Sequence, residues 1–483
     1  MSRTTHLVAG VDGTLGRAVD RVVCSHHRRR LRRVGWEQAL DGAPGGWADG
    51  YAPPRTGNRL EVLVDGAKAL PRMAAEMERA RSHVHVAGWF FSPEFTLTRS
   101  SHPTVLRNLL AELAERVDVR VLAWAGAPLP LFRPTRRQVG AMRDELRRGS
   151  RIRCALDGHE RPMHCHHEKT IVVDDRLAFV GGIDLTLDAG DRFDSSTHPP
   201  RAELGWHDAT TVIEGPAAAD VADHFRLRWR ETTGERLEAA VPAPAEGDLE
   251  LQIARTVPNG VYRALPRGEF GILDSYLRAL RSAQRLIYLE NQFLWSQEIV
   301  EVLVAKLRDP PADDFRLLVV LPARPNNGAD ETRGQLSTLV AADDGAGRFL
   351  ACTLYAHAGA LCDPVYVHAK IGIVDDRWLT VGSANLNEHS LFNDTEMNVV
   401  CHDPALARAT RLRLWSEHLE LPQTELEAAP AELVDRRWRP VAREQLERRQ
   451  AGRPLTRRVV ELPGVSRHSK RLLGPIDGLF VDG

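Results

Sequence analysis

One stretch of this sequence occurs twice, in register, and that duplication constrains the fold more than any other feature. Residues 163–186 read MHCHHEKTIVVDDRLAFVGGIDLT and residues 367–387 read VHAKIGIVDDRWLTVGSANLN. His167, Lys169, Asp174, Gly181 and Asp184 correspond to His368, Lys370, Asp375, Gly382 and Asn385, each pair 201 positions apart. A single offset over five positions makes a repeated structural unit the expectation. The likeness continues downstream: setting Pro216 against Pro404 also sets Asp208 against Glu396, and Asp208–Trp229 then parallels Glu396–Trp415.

In both copies a β-branched run follows the lysine, Asp-Asp-Arg intervenes and a second apolar run follows, the pattern of a β-hairpin. Elsewhere apolar runs such as residues 59–64, 119–124, 286–289 and 315–321 alternate with helical patterns such as 67–80 and 271–283. This alternation predicts an α/β fold in which helices flank mixed sheets. A chain of 483 residues exceeds what one hydrophobic core usually supports, so two similar α/β-sandwich domains are expected. The boundaries fall at 1–57 (a basic N-terminal extension), 58–240 (the first repeat), 241–424 (the second) and 425–483 (a basic C-terminal tail). The Pro, Ala and Gly-rich segment Ala240–Asp248 reads as the linker.

Composition excludes several classes. No run approaches the roughly 18 apolar residues of a membrane span, and Met1–Asp20 lacks the continuous apolar core of a secretory signal, which makes a cytoplasmic location the expectation. Six cysteines without a C-x-x-C pair read as free thiols. A net charge of −1 gives no general attraction to nucleic acid. The basic block His26–Arg33 and the late cluster of Arg448, Arg449, Arg453, Arg457, Arg458, Arg467, Lys470 and Arg471 could each meet an anionic surface or be a solvated face.

Side chains two apart on a strand share a face, so His167 projects with Lys169 and His368 with Lys370. Two lysines could neutralise a phosphodiester whose charge spreads in the transition state. A floor of backbone N–H groups is expected at Gly181-Gly182 and Gly382-Ser383, with Asp184 and Asn385 beside it. Neutral imidazole can attack phosphorus and imidazolium can protonate a leaving alkoxide, so two histidines divide the work and neither metal nor cofactor is required. Asp208 and Glu396 are the candidate acids for orienting the imidazoles. Asp174 and Asp375 complete the motif, though an Asp at a strand end also suits a turn. Glu290-Asn291-Gln292 suits a substrate-binding cleft rim or an orienting role, and Trp89-Phe90-Phe91 suits a core, with lipid contact as the alternative. His164-Cys165-His166-His167 looks like a metal cluster, but strand alternation lets at most two of these side chains converge, too few for a closed zinc site.

The duplicated H-x-K-x4-D with its trailing Gly-Gly or Gly-Ser resembles the phospholipase D superfamily. The segments at 83–95, 206–216, 285–295 and 385–400 resemble the surroundings of the two motifs in phospholipases D proper, so the likeness runs from about residue 58 to about residue 420. It implies two α/β domains about a pseudo-twofold axis with the active site between them. It further implies His167 as nucleophile, His368 as general acid and then base, and a phospholipid substrate met at a membrane surface. Water would yield phosphatidic acid and an alcohol would yield transphosphatidylation; a cardiolipin-synthase-like transferase differs only in the acceptor. Metal-independent nucleases also belong to this superfamily, but they favour a basic channel with aromatic platforms. Neutral charge and the phospholipase-like flanks point away from nucleic acid as the partner.

Overall fold

The computed structural model describes residues 21–50, 52–129, 133–325 and 329–462. Its first sheet runs, neighbour to neighbour, through Arg55–Val64, Ala209–Glu214, Leu177–Gly181, Lys169–Val173, His83–Gly88, Asp118–Trp124 and Arg153–Asp157. The first four pairings are antiparallel and the last two parallel. The second sheet repeats this order and these directions through Leu249–Val257, Glu396–Cys401, Trp378–Gly382, Ile371–Val374, Leu286–Glu290, Arg316–Val320 and Phe349–Ala358. Both are mixed sheets flanked by helices, as the alternation of apolar patterns predicts.

Strand periodicity explains how two such sheets share one molecule. Alternate side chains face opposite ways, so Ile171 and Val173 enter the core under the helices Gly66–Glu78, Leu106–Leu113 and Arg136–Arg147. Val172 turns the other way and meets Val180 and Ile213 of its own sheet and Ile253, Met397 and Val399 of the other. Each buried aliphatic side chain contributes about 1.5–3 kcal/mol, and burial on both faces accounts for the unbroken apolar runs that follow each lysine. Short parallel pairings also cross between the halves, Tyr366 and Val367 with Trp206 and His207, and His166 with Thr395.

The hairpins turn on Asp174-Asp175 and Asp375-Asp376, all four at positive φ between 51° and 55°. A two-residue turn matching the strand twist requires this conformation, which Asp tolerates better than most residues.

Residues 235–248, which contain the linker segment, form no regular element. The His26–Arg33 block is helical. His27, Arg30 and Leu31 are buried against the second half, with His27 Nδ1 2.8 Å from Glu298 Oε1 and Arg30 bonded to Asn259, Asn393 and the Phe392 carbonyl, while Arg28, Arg29, Arg32 and Arg33 remain exposed. Residues 425–462 also pack on the body: Trp438 is fully buried and Val459–Glu461 adds a strand to Phe349–Ala358. Arg467, Lys470 and Arg471 lie outside the described residues. Among the described residues, no helix is long and apolar enough to cross a membrane.

Candidate active site

The two repeats meet reciprocally. His167 N donates to Thr395 O at 2.9 Å and His368 N to His207 O at 2.8 Å, so each motif is pinned by the residue preceding the other half's acid. His167 Nδ1 then lies 2.9 Å from Glu396 Oε1, and His368 Nδ1 lies 2.7 Å from Asp208 Oδ2. The acids are exchanged: the carboxylate aligned with one histidine's own repeat orients the histidine of the other. A proton on Nδ1 held this way leaves Nε2 as the reactive nitrogen of each ring, and among the described residues neither Nε2 has a protein hydrogen-bond partner.

Both lysines bend back along their strands. Lys169 Nζ donates to His167 O at 2.7 Å and Lys370 Nζ to His368 O at 2.6 Å. Their further partners differ, for Asp184 Oδ1 stands 3.4 Å from Lys169 whereas Gln292 Oε1 stands 3.3 Å from Lys370. Asn385, at the place of Asp184, donates to the same Gln292 oxygen at 3.4 Å and leaves its own Oδ1 buried without a partner. One lysine therefore faces a carboxylate and the other faces amides.

The electrostatics place all four groups in one compartment. Burial and then Lys169 and Lys370 push His167 down to about 3; burial, Lys370, Lys169 and Arg192 hold His368 well below its usual range. Each imidazole thus feels the lysine of the opposite half. Burial raises Glu396 to about 8 and Asp208 to about 6, and lowers Lys370, assisted by repulsion from Lys169, to about 7.

Several residues chosen from sequence stand elsewhere or act differently. The N–H groups of Gly182 and Ser383 donate to the carbonyls of Ala209 (2.8 Å) and Met397 (3.0 Å), so they are committed to the sheet and form no phosphate floor. Their small size serves the carboxylates instead. A Cβ on Gly182 would stand 2.3 Å from Asp208 Oδ1, and Ser383 Oγ donates to Glu396 Oε2 at 2.5 Å. Glu290 lies beneath the site rather than on its rim, bonded to His207 Nε2 (2.7 Å) and His418 Nε2 (2.8 Å), which hold it below the carboxylate range against the effect of burial. Asn291 Oδ1 accepts from the N–H groups of Phe293 and Leu386, fixing the loop that carries Gln292.

Asp174 and Asp375 are also apart from the histidines. Asp174 stands five residues beyond Lys169, about 16 Å along an extended strand, and accepts from Arg81 N, Ser82 N and His83 N; Asp375 accepts from Gln284 N, Arg285 N and Leu286 N at 2.7–2.8 Å. Each ties its hairpin turn to the start of the neighbouring strand. Asp375→Ala is expected to cost about 1–3 kcal/mol of stability while leaving kcat and KM of any turnover nearly unchanged. Thermal melting paired with an assay well below the melting range checks this; a large fall in kcat in a folded variant would return Asp375 to the site.

Sequence reading missed Arg192, His207 and Ser390. Arg192 is buried, lies 3.3 Å over the ring of Trp206, and Trp206 in turn stands 4.6 Å from the His368 ring. Ser390 Oγ gives Glu396 a second hydroxyl donor at 2.5 Å. The duplicated Asp208 and Glu396 were the one signal that could have led to His207, which immediately precedes Asp208; nothing in the local sequence marks Arg192.

A twice-repeated mixed-sheet fold in which each half supplies a histidine, a lysine and the other half's orienting acid defines the class of protein. A family model described as the cardiolipin synthase, PLD-like domain matches residues 276–416. Phospholipase D A of Dictyostelium discoideum is 26% identical over 76% of this chain and 36% of its own length, and phospholipase D2 of Bos taurus is 26% identical over 74% and 50%. The chain thus spans half or less of the length of these relatives. The crystal structure of phosphatidylserine synthase from Haemophilus influenzae Rd KW20 has a similar fold, with a TM-score of 0.51 at 13% identity over 87% of this chain and 98% of that one. Over about three quarters of its length the chain is thus similar to phospholipases D, and residues 276–416 match a PLD-like domain model.

Proposed function

We propose that the protein is a phospholipase D-type phosphodiesterase and transphosphatidylase that hydrolyses glycerophospholipid headgroups to phosphatidic acid through a phosphohistidine. The exchanged His167–Glu396 and His368–Asp208 pairs carry this reading. His167 Nε2 attacks phosphorus while His368 Nε2 gives its proton to the departing headgroup alkoxide. His368 then takes a proton from water or an alcohol, whose oxygen attacks phosphorus and restores His167. Lys169, Lys370 and Arg192 offset the phosphate charge, with Gln292 and Asn385 as amide neighbours.

The electrostatics of the two rings support this division of roles. Near pH 7 Asp208, at about 6, is mostly ionised, and together with the anionic diester it would offset the burial and the cations that lower His368, supporting the Nε2 proton that a general acid needs. His167, which burial and the two lysines push down to about 3, is an uncharged nucleophile.

The pH dependence follows with a definite sign. Below about 7 Lys370 carries the proton that attracts the diester, and as pH rises through that value the charge and the affinity are lost. Asp208 gains a proton as pH falls through about 6 and stops supporting His368. kcat/KM should therefore be bell-shaped, its alkaline limb falling by ~10-fold per pH unit. Lys370→Arg keeps its charge and should move that limb upward; an unmoved limb would remove Lys370 from phosphate binding.

The reaction itself is tested with mixed phosphatidylcholine, phosphatidylethanolamine and phosphatidylglycerol vesicles, without added metal, read by lipid mass spectrometry. Headgroup release and phosphatidic acid are expected, with ethanol diverting product to the ethyl ester. A second reading draws on the cardiolipin synthase description of the matching family model: there the acceptor is a lipid alcohol, and phosphatidylglycerol would yield cardiolipin in the same assay. Intact lipids alongside cleaved single-stranded DNA would replace both readings with a nuclease.

A further inference from the structure

His164, His389 and Asp394 form a cluster that the proposed reaction does not use. Their potential ligand atoms all lie within 4.8 Å of one another. His164 Nδ1 faces His389 Nδ1 at 3.0 Å and stands 3.4 Å from Asp394 Oδ1. Ligands on a tetrahedral ion at about 2.0–2.1 Å are separated by roughly 3.3 Å, so the observed spacings bracket what such an ion requires. Asp394 Oδ2 is buried without any partner, on a side chain only about 1% exposed. Orphaned polar atoms are unusual in a packed interior and call for a physical explanation. The His164 side chain retains 12% of its surface, which leaves one side open for entry of an ion.

The larger cluster of Asp65, His198, His207 and Glu417 is different. There each ring nitrogen already meets a carboxylate: His198 Nδ1 meets Asp194, His198 Nε2 meets Glu417, His207 Nδ1 meets Asp65 and His207 Nε2 meets Glu290. Against the effect of burial these carboxylates push His198 up to about 9 and His207 well above its usual range. Protonated imidazoles have no lone pair to offer a metal.

We propose that His164, His389 and Asp394 are a three-ligand site for a zinc-class divalent transition metal, joining the two halves of the chain beside His167, with water in the fourth position. The histidine-rich run at 164–167 contributes one ligand only, because His166 turns to Thr395 and Asp157 and His167 to Glu396. The other two ligands come from the far half, beyond the reach of any spacing rule within that run. The same segments hold the His167–Glu396 pair, through Thr395 N to Cys165 O (3.1 Å) and Cys165 N to Asp394 Oδ1 (2.9 Å). The metal ties these two segments together and takes no part in bond breaking. The proposal is independent of the lipid reading.

The test uses the untagged full chain, stripped with a chelator and dialysed, then titrated with Zn2+ by calorimetry and with Co2+ by absorption. One equivalent should bind with micromolar or tighter affinity, the cobalt form should show the intense visible bands of a four-coordinate site, and the melting temperature should rise. His164→Ala, Asp394→Asn and His389→Gln should each weaken binding by on the order of a hundredfold or more, while His198→Ala should leave it unchanged. His164→Ala, at the open end of the cluster, decides the matter if the buried variants do not fold. No saturable binding by the unaltered chain, or binding that persists in folded His164→Ala, overturns the proposal.

Discussion

His167→Ala should form no covalent phospho-enzyme with any substrate, whereas His368→Ala should form one and fail to release it when the leaving group needs no proton. The nucleophile and the acid are separable because each ring has its own carboxyl partner, Glu396 at 2.9 Å and Asp208 at 2.7 Å. A p-nitrophenyl phosphodiester leaves as a stabilised phenolate, so its departure bypasses His368. Rapid mixing should show a burst of one equivalent of nitrophenolate from His368→Ala and none from His167→Ala. On phospholipid both variants should lose on the order of 10⁴-fold or more in kcat, since groups acting as a unit are not additive. A burst from His167→Ala alone would exchange the two roles, and near-normal turnover by either variant would end the two-histidine mechanism.

The second large effect concerns stability. Arg228 is fully buried, with Nε 2.9 Å from Asp157 Oδ2 and 3.0 Å from the Tyr262 hydroxyl, and it also pairs with Glu168, the residue that follows His167. His224 Nε2 meets the other Glu168 oxygen at 2.9 Å. Arg228→Met strands two carboxylates in the interior and should destabilise by about 3–5 kcal/mol, a large share of the roughly 5–15 kcal/mol that holds a typical domain.

The sign with pH is fixed by these acids. Against the effect of burial, neighbouring histidines and Arg228 hold Asp157 and Glu168 below the carboxylate range. Their stabilisation is present above the unfolded carboxylate pKa values, near 4, and lost as pH falls toward the depressed folded values. The gap between parent and variant urea midpoints should therefore be widest near neutrality and narrow as pH drops through about 4. Adding Glu168→Gln to Arg228→Met should recover part of the loss, a coupling expected only of direct partners. A neutral-pH loss under about 1 kcal/mol would mean that water reaches this network.

Much of the fold was legible because duplication and strand periodicity are local signals. The apolar runs on either side of Asp-Asp-Arg became hairpins, and the Pro-rich segment near 240–248 became an irregular connection. The late arginine-rich segment was harder. Trp438, Val459 and Val460 are scattered among charges, yet they bury against the second half; isolated apolar residues announce no periodicity, so only the surface they meet reveals their role.

The repeat by itself determined that one His-Lys unit would appear twice on one architecture, since alternation along a strand dictates which side chains project together. Tertiary structure decided what each unit meets: Glu396 crosses to His167 and Asp208 to His368, Gly182 and Ser383 make room for carboxylates, and Arg192 arrives on Trp206. Those partners lie up to 229 positions apart in the chain. Their meeting is set by how two sheets pack on shared inner faces, which no local pattern of residues encodes.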